Sequence, residues 1–235
     1  MSQEPPAGFP PGPTDPGSSV PWERRDEIGL AAGLIETTKQ VLTGPTDFFR
    51  RMPVTGGVGS PLLYAVIIGY LGILVSSVYN AVFILVVGTH GSFGAFGDRP
   101  EMARMMEAFS SWGGLIAQVL FGPFGIVIGL FVSTAILHVM LMLLGGASQG
   151  FEATFRARSY SHAASILAIV PFCGPAIGGI WSLVLCIIGI AEAQRIPVWK
   201  AALAVLLPIV LCCCCCAAGI GMFSASIASL VSHQR

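Results

Sequence analysis

Charged side chains are scarce in this sequence: Lys, Arg, Asp and Glu together make up 10% of 235 residues. Soluble domains carry about 25%. A chain this poor in charge cannot cover a globular surface with water-binding groups, which excludes a soluble globular protein. Net charge is also lacking. Lys+Arg and Asp+Glu stand at 12 each, which leaves no basic field for a polyanion, and nucleic acid is not an expected partner. Absent as well are HExxH, GxSxG and the Walker loop, the local signatures of zinc proteolysis, acyl transfer and phosphate binding. The four histidines, His90, His138, His162 and His233, lie in separate regions with no second ligand at helical spacing. The expectation is a protein that is not an enzyme and needs no cofactor. The N-terminus has neither the basic start nor the apolar core of a signal peptide, so the first apolar run is expected to serve as an uncleaved signal anchor.

What is present is apolar: 54% of the residues are hydrophobic. The run from Pro61 to Gly88 contains no charge. A bilayer core needs about 20 apolar residues as helix, so this run spans with some tilt. Pro123–Leu144, Ala176–Ala191 and Trp199–Phe223 are further spans. Ser159–Pro175 is shorter and is closed by Pro171 and Pro175. It reads either as a short span or as a re-entrant piece. Basic residues accumulate on the cytoplasmic side, and their placement arbitrates. With five spans and the N-terminus inside, nine lie inside (Arg24, Arg25, Lys39, Arg50, Arg51, Arg156, Arg158, Arg195 and Lys200) and three outside (Arg99, Arg104 and Arg235). Without the short span the split is eight against four. The expected fold is all-α: a polytopic transmembrane helix bundle with spans near 61–88, 114–145, 159–174, 175–193 and 199–225, N-terminus cytoplasmic and C-terminus outside.

The ends and loops differ in kind. Residues 1–21 are rich in Pro, Gly and Ser and are expected to be a disordered tail. Within the juxtamembrane segment 22–60, Ile28, Ala31, Ile35 and Leu42 fall at helical spacing, with Glu36 and Lys39 off that stripe. This predicts an amphipathic helix, either on the membrane surface or packed on the protein's own loops. Phe48 and Phe49 are expected to dip into the interface while Arg50 and Arg51 meet lipid phosphates. In the loop after the first span, Met102, Met105, Phe109 and Trp112 predict a short interfacial helix leading into the second.

Several features carry candidate chemistry. Five consecutive cysteines, Cys212–Cys216, point all around a helix rather than at one metal ion. They read as small apolar residues for close packing, together with Ala217, Ala218, Gly219 and Gly221. Gly125/Gly129 and Gly174/Gly178 form GxxxG pairs, which let helices approach closely in lipid and suggest a tight bundle or a homo-oligomer. Tyr79, Asn80, Thr134 and His138 are candidate polar residues within the membrane. They read as hydrogen-bonding glue between helices, with a polar transport path as the alternative. Arg156, Arg158, His162, Glu192 and Arg195 fall at one membrane face as a candidate charge network, holding loops together or docking a cytoplasmic protein partner.

The stretch Phe155–Pro208 resembles the Yip family, membrane proteins named for interaction with Ypt and Rab GTPases. The resemblance is carried by Tyr160, Ser161, His162 and Ala163 before a short apolar segment ending in Pro171. Gly174, Trp181, Gly189 and then Lys200–Ala201 follow. Pro21–Pro53 is similar to the head of bacterial members. The resemblance implies five spans, a cytoplasmic N-terminus and an outside C-terminus, and places the chain in a bacterial inner membrane. Eukaryotic relatives are linked to vesicle traffic and organelle shape, so the resemblance carries architecture further than activity. The expected role is a membrane-organising or partner-binding scaffold in contact with the lipid bilayer. The alternative is a transporter of a small solute, ion or lipid.

Overall fold

The computed structural model describes residues 20–87, 111–170 and 173–233, with side chains over 20–86, 111–170 and 173–215. The N-terminal tail and the expected helix over Met102, Met105 and Phe109 lie outside the described residues. Among those described, every regular element is helical. A 3-10 turn, Pro21–Arg24, leads to α1 (Arg25–Ile28), α2 (Leu30–Thr43) and α3 (Pro45–Arg51). The long helices are α4 (Gly59–Val87), α5 (Trp112–Leu143), α7 (Gly174–Gln194) and α8 (Val198–His233). Between α5 and α7 stands α6 (Gly150–Tyr160), followed by a 3-10 helix, Ser161–Ile169.

Among the described residues, four helices are long and apolar enough to cross a membrane: Gly59–Val86, Trp112–Leu143, Gly174–Gln194 and Val198–Cys215. Their ends are set by local chemistry. The Ser111 hydroxyl accepts from the Gly114 backbone N–H at 3.1 Å and caps α5. Pro175 sits in the first turn of α7, where no intrahelical N–H is needed. Beyond α5, Gly145 adopts φ 62°, and the Gly146 N–H reaches back to Leu141 O at 2.7 Å. Arg195 makes the same left-handed exit from α7 at φ 53°. The long helices alternate in direction, so Gly59, Leu143, Gln194 and Val198 gather at one end, here called the head end.

The segment expected near 159–174 is longer than its apolar run. Its helical path begins at Gly150 and passes without a break from α6 into the 3-10 helix. Eleven α residues rise about 16 Å and nine 3-10 residues about 18 Å, so the rod is roughly as long as a hydrocarbon core is thick. A 3-10 helix is also narrower than an α-helix, and this one carries Ser161, Ala163 and Ala164 buried at its start. It fits between glycine faces. A Cβ on Gly72 would sit 3.1 Å from Ser165 Cβ, and one on Gly178 3.0 Å from Ala164 O. A Cβ on Gly174 would overlap Leu167 O.

The N-terminal helices are part of the same core rather than a separate juxtamembrane unit. Trp22, Val41, Phe48, Phe49 and Met52 form one apolar cluster with Tyr64, Tyr160 and Ile190. The Trp22 Nε1–H donates to Ser60 O at 2.8 Å, and the Thr37 hydroxyl accepts from the Trp22 backbone N–H at 2.8 Å. Phe48 and Phe49, expected in the membrane interface, are instead buried. Gly189 lets the Phe49 ring lie flat on α7, where a Cβ would stand 3.0 Å from it. The faces of α2 also differ from expectation. Gly33, Thr37 and Val41 are buried, and Leu42 packs beside them. Ile28, Ala31 and Ile35 face outward with Leu30 and Lys39. Thr37 and Val41 are 0% exposed, whereas Leu30 is 65% and Ile35 67% exposed.

Candidate functional site at the head end

Arg156 of α6 is fully buried, at 0% exposure. A bare guanidinium in an apolar core is costly, and every face of this one is used. Its Nε donates to Pro53 O at 2.6 Å and one terminal nitrogen to Gly57 O at 2.9 Å. The other nitrogen pairs with the Glu23 carboxylate. The same carboxylate oxygen accepts from the Tyr160 hydroxyl at 2.7 Å. The loop between α3 and α4 is tied down again where Glu152 accepts from the Gly57 N–H at 2.5 Å. Residues from the first 3-10 turn, the loop and α6 therefore share one charge-assisted cluster. Rings of Phe48, Tyr64 and Tyr160 pack around it, with centroids 5.1 to 5.5 Å apart.

A second polar cluster joins α5, α6 and α7. The Gln194 amide donates to Thr154 Oγ1 and to Gly150 O, both at 2.8 Å. Its carbonyl accepts from the Gln149 N–H at 2.7 Å. Thr154 Oγ1 also meets His138 Nδ1 at 2.9 Å, and the Phe151 ring lies edge-on to the imidazole at 5.5 Å. Gln194 thereby satisfies the Gln149 N–H at the start of α6, which has no intrahelical acceptor.

The residues singled out from sequence distribute over different places. Arg156 belongs to the Glu23 cluster, not to a network with Glu192. Glu192 pairs with Arg50 of α3 at 3.2 Å, and this carboxylate holds the Arg50 guanidinium above its already high pKa. His162 hydrogen-bonds the Arg158 backbone O at 3.2 Å, and Arg195 is exposed. The five are thus not one network. Arg51 donates to its own helix, to Asp47 O at 3.0 Å. Of the intramembrane group, His138 is held at the head end. Tyr79 lies toward the opposite end, where its hydroxyl donates to Ile169 O. Asn80 is half-buried beside it in sequence, and Thr134 Oγ1 is buried without a hydrogen-bond partner. Tyr79 and Asn80 therefore do not meet Thr134 and His138. Sequence reasoning missed Glu23, which sits in an unbroken charged run, Glu23–Glu27, with nothing local to mark it.

Among the described residues, two cavities in the bundle stand out. One, of about 330 Å³, lies between α4, the 3-10 helix and α7 and is bordered by Ser76, Gln118 and Ser165. The other, of about 370 Å³, lies between α5, α7 and α8 and is bordered by Arg158, Cys186 and Cys212. Ser182 borders both. Cys212 to Cys215, expected as a packing face, are exposed among the described residues, and the side chain of Cys216 lies outside them.

The family model for the Yip1 domain matches residues 39–220. The chain belongs to the Yip family. The match takes in the end of α2, all of α3 to α7 and most of α8, so both polar clusters are largely inside it, with Glu23 outside. No curated protein and no solved structure matches this Yip-family chain. Together the family and the four apolar helices make it an integral membrane protein in contact with the lipid bilayer.

Proposed function

We propose that this Yip-family protein is a non-enzymatic membrane-organising scaffold of a bacterial inner membrane. Its chain crosses five times, with the α6 and 3-10 rod as the third crossing, the head end cytoplasmic and the C-terminus outside. The observation that carries the reading is the two-faced α2. One face is locked to the bundle through Gly33, Thr37 and Val41, while Leu30, Ala31 and Ile35 face outward. Exposed apolar side chains on a helix fixed at the membrane face insert at the headgroup level, with Lys39 reaching phosphates. A rigidly mounted wedge of this kind expands one leaflet and organises the bilayer around it. The open Gly125 and Gly129 face, with nothing within 4 Å of either Cβ position, suits lateral association of copies.

A transporter is the second reading, favoured by the two cavities that share Ser182. One experiment separates them. The purified chain is reconstituted into vesicles at rising protein content, and vesicle shape is imaged while solute leakage is followed. The scaffold reading expects smaller or tubulated vesicles with the wild type and unaltered vesicles with the L30E/I35E double variant. Unaltered vesicles with wild type, together with protein-dependent solute flux, would establish the transporter instead.

A further inference from the structure

The cavity between α5, α7 and α8 holds a cation that no described residue neutralises. Among the described residues that border it Arg158 is the only charged one; the remainder includes Ile136, Leu183, Val205, Ile209 and Cys213. Among the described residues Arg158 forms no ion pair, in contrast to Arg24, Arg50 and Arg156. Its depth is also informative. Cys186 borders the same cavity and lies eight residues before Gln194 at the head end of α7, about 12 Å along a helix. That is close to the boundary between headgroups and hydrocarbon. A guanidinium half-buried there in apolar surroundings is costly without a counter-charge.

We propose that this groove is a binding site for an anionic phospholipid of the head-end leaflet. The phosphate of the lipid lies on Arg158, whose forked N–H groups match phosphate oxygens. One acyl chain runs toward the bilayer centre along α8. Val205, Ile209 and Cys213 recur at four-residue spacing and so share one face of that helix. They cover about 12 Å in the direction an acyl chain takes from that headgroup. The short thiol side chains of Cys212 and Cys213 leave the groove open where larger residues would fill it. This site rests on membrane embedding alone and holds whether the protein is a scaffold or a transporter.

The test is native mass spectrometry of the full chain in detergent, titrated separately with phosphatidylglycerol and phosphatidylcholine. The wild type is expected to retain one phosphatidylglycerol in preference to phosphatidylcholine. R158Q is expected to weaken that binding about ten-fold or more, the effect of losing one charge-assisted contact, and R158K to retain most of it. Among the described residues Arg158 makes no side-chain bond, so R158Q should fold. I209W, which fills the groove and keeps the charge, provides a second route and is expected to lose the lipid as well. Equal retention of the two lipids by the wild type would overturn the site. So would unchanged phosphatidylglycerol binding in both R158Q and I209W. Binding of inorganic phosphate as tightly as phosphatidylglycerol would show an anion site without a lipid groove, and would equally overturn it.

Discussion

Two GxxxG pairs that look alike in sequence end in opposite surroundings. Gly174 and Gly178 of α7 lie against the backbone of the 3-10 helix, so close that no side chain fits between them. Gly125 and Gly129 of α5 face open space. Small residues permit close approach but do not create the partner that approaches. The same division runs through the whole molecule. The head end is closed, its Arg156, Glu23, Gln194 and Tyr160 spent on internal bonds, while the flanks of α5 and α8 remain open to lipid or to another copy.

The comparison can be broken first at the buried ion pair. Arg156→Met strands the Glu23 carboxylate beside Tyr160, and loss of one partner of such a pair costs about 3–5 kcal/mol. Thermal unfolding in detergent should show a large drop. The double variant Arg156→Met with Glu23→Gln should recover much of it. A single variant as stable as wild type would mean that the head end is not locked by this pair.

The glycine pairs come next. Gly178→Val forces a side chain into the Ala164 carbonyl, and overpacking of this kind costs about 1–3 kcal/mol. Gly129→Val meets nothing and should change monomer stability by less than about 0.5 kcal/mol. Crosslinking of the Gly129→Val variant against wild type then shows whether the open face joins two copies. Equal destabilisation by the two valines would erase the distinction drawn between the pairs.

Smaller effects are expected at the exposed sites. Replacing Cys212 to Cys215 by Ala should leave stability nearly unchanged, because all four are exposed. Glu192→Gln should loosen α3 from α7 only slightly, since its partner Arg50 is well exposed. A large loss in either variant would reveal contacts that the open flank lacks.

How much of this was legible in the sequence follows the same division. The four apolar helices were readable because run length alone decides them. Membership of the Yip family was readable from Tyr160 to Lys200. The rod beginning at Gly150 was not, because Glu152, Arg156 and Arg158 interrupt its apolar pattern. Arg156 is met by Glu23 and Gly57, about a hundred positions or more away, and no local spacing can report that. Phe48 and Phe49 misled for a related reason: a Phe pair beside two Arg reads as an interfacial anchor until Gly189 on a distant helix provides a flat seat. The outward stripe Ile28, Ala31 and Ile35 was visible. Which face of α2 the bundle would cover was not, because the covered face is built from Gly33 and Thr37 rather than from large apolar residues.

The outward face of α2 is the central claim, and a fluorescent probe tests it most directly. All seven native cysteines would be replaced by Ala or Ser, a single Cys placed at position 35, and an environment-sensitive dye attached after reconstitution into vesicles. Position 27, in the charged run, serves as the exposed control. The account predicts blue-shifted emission at position 35 that lipid-borne quenchers suppress, with water-like emission at position 27. Water-like emission at both positions, untouched by those quenchers, would contradict it.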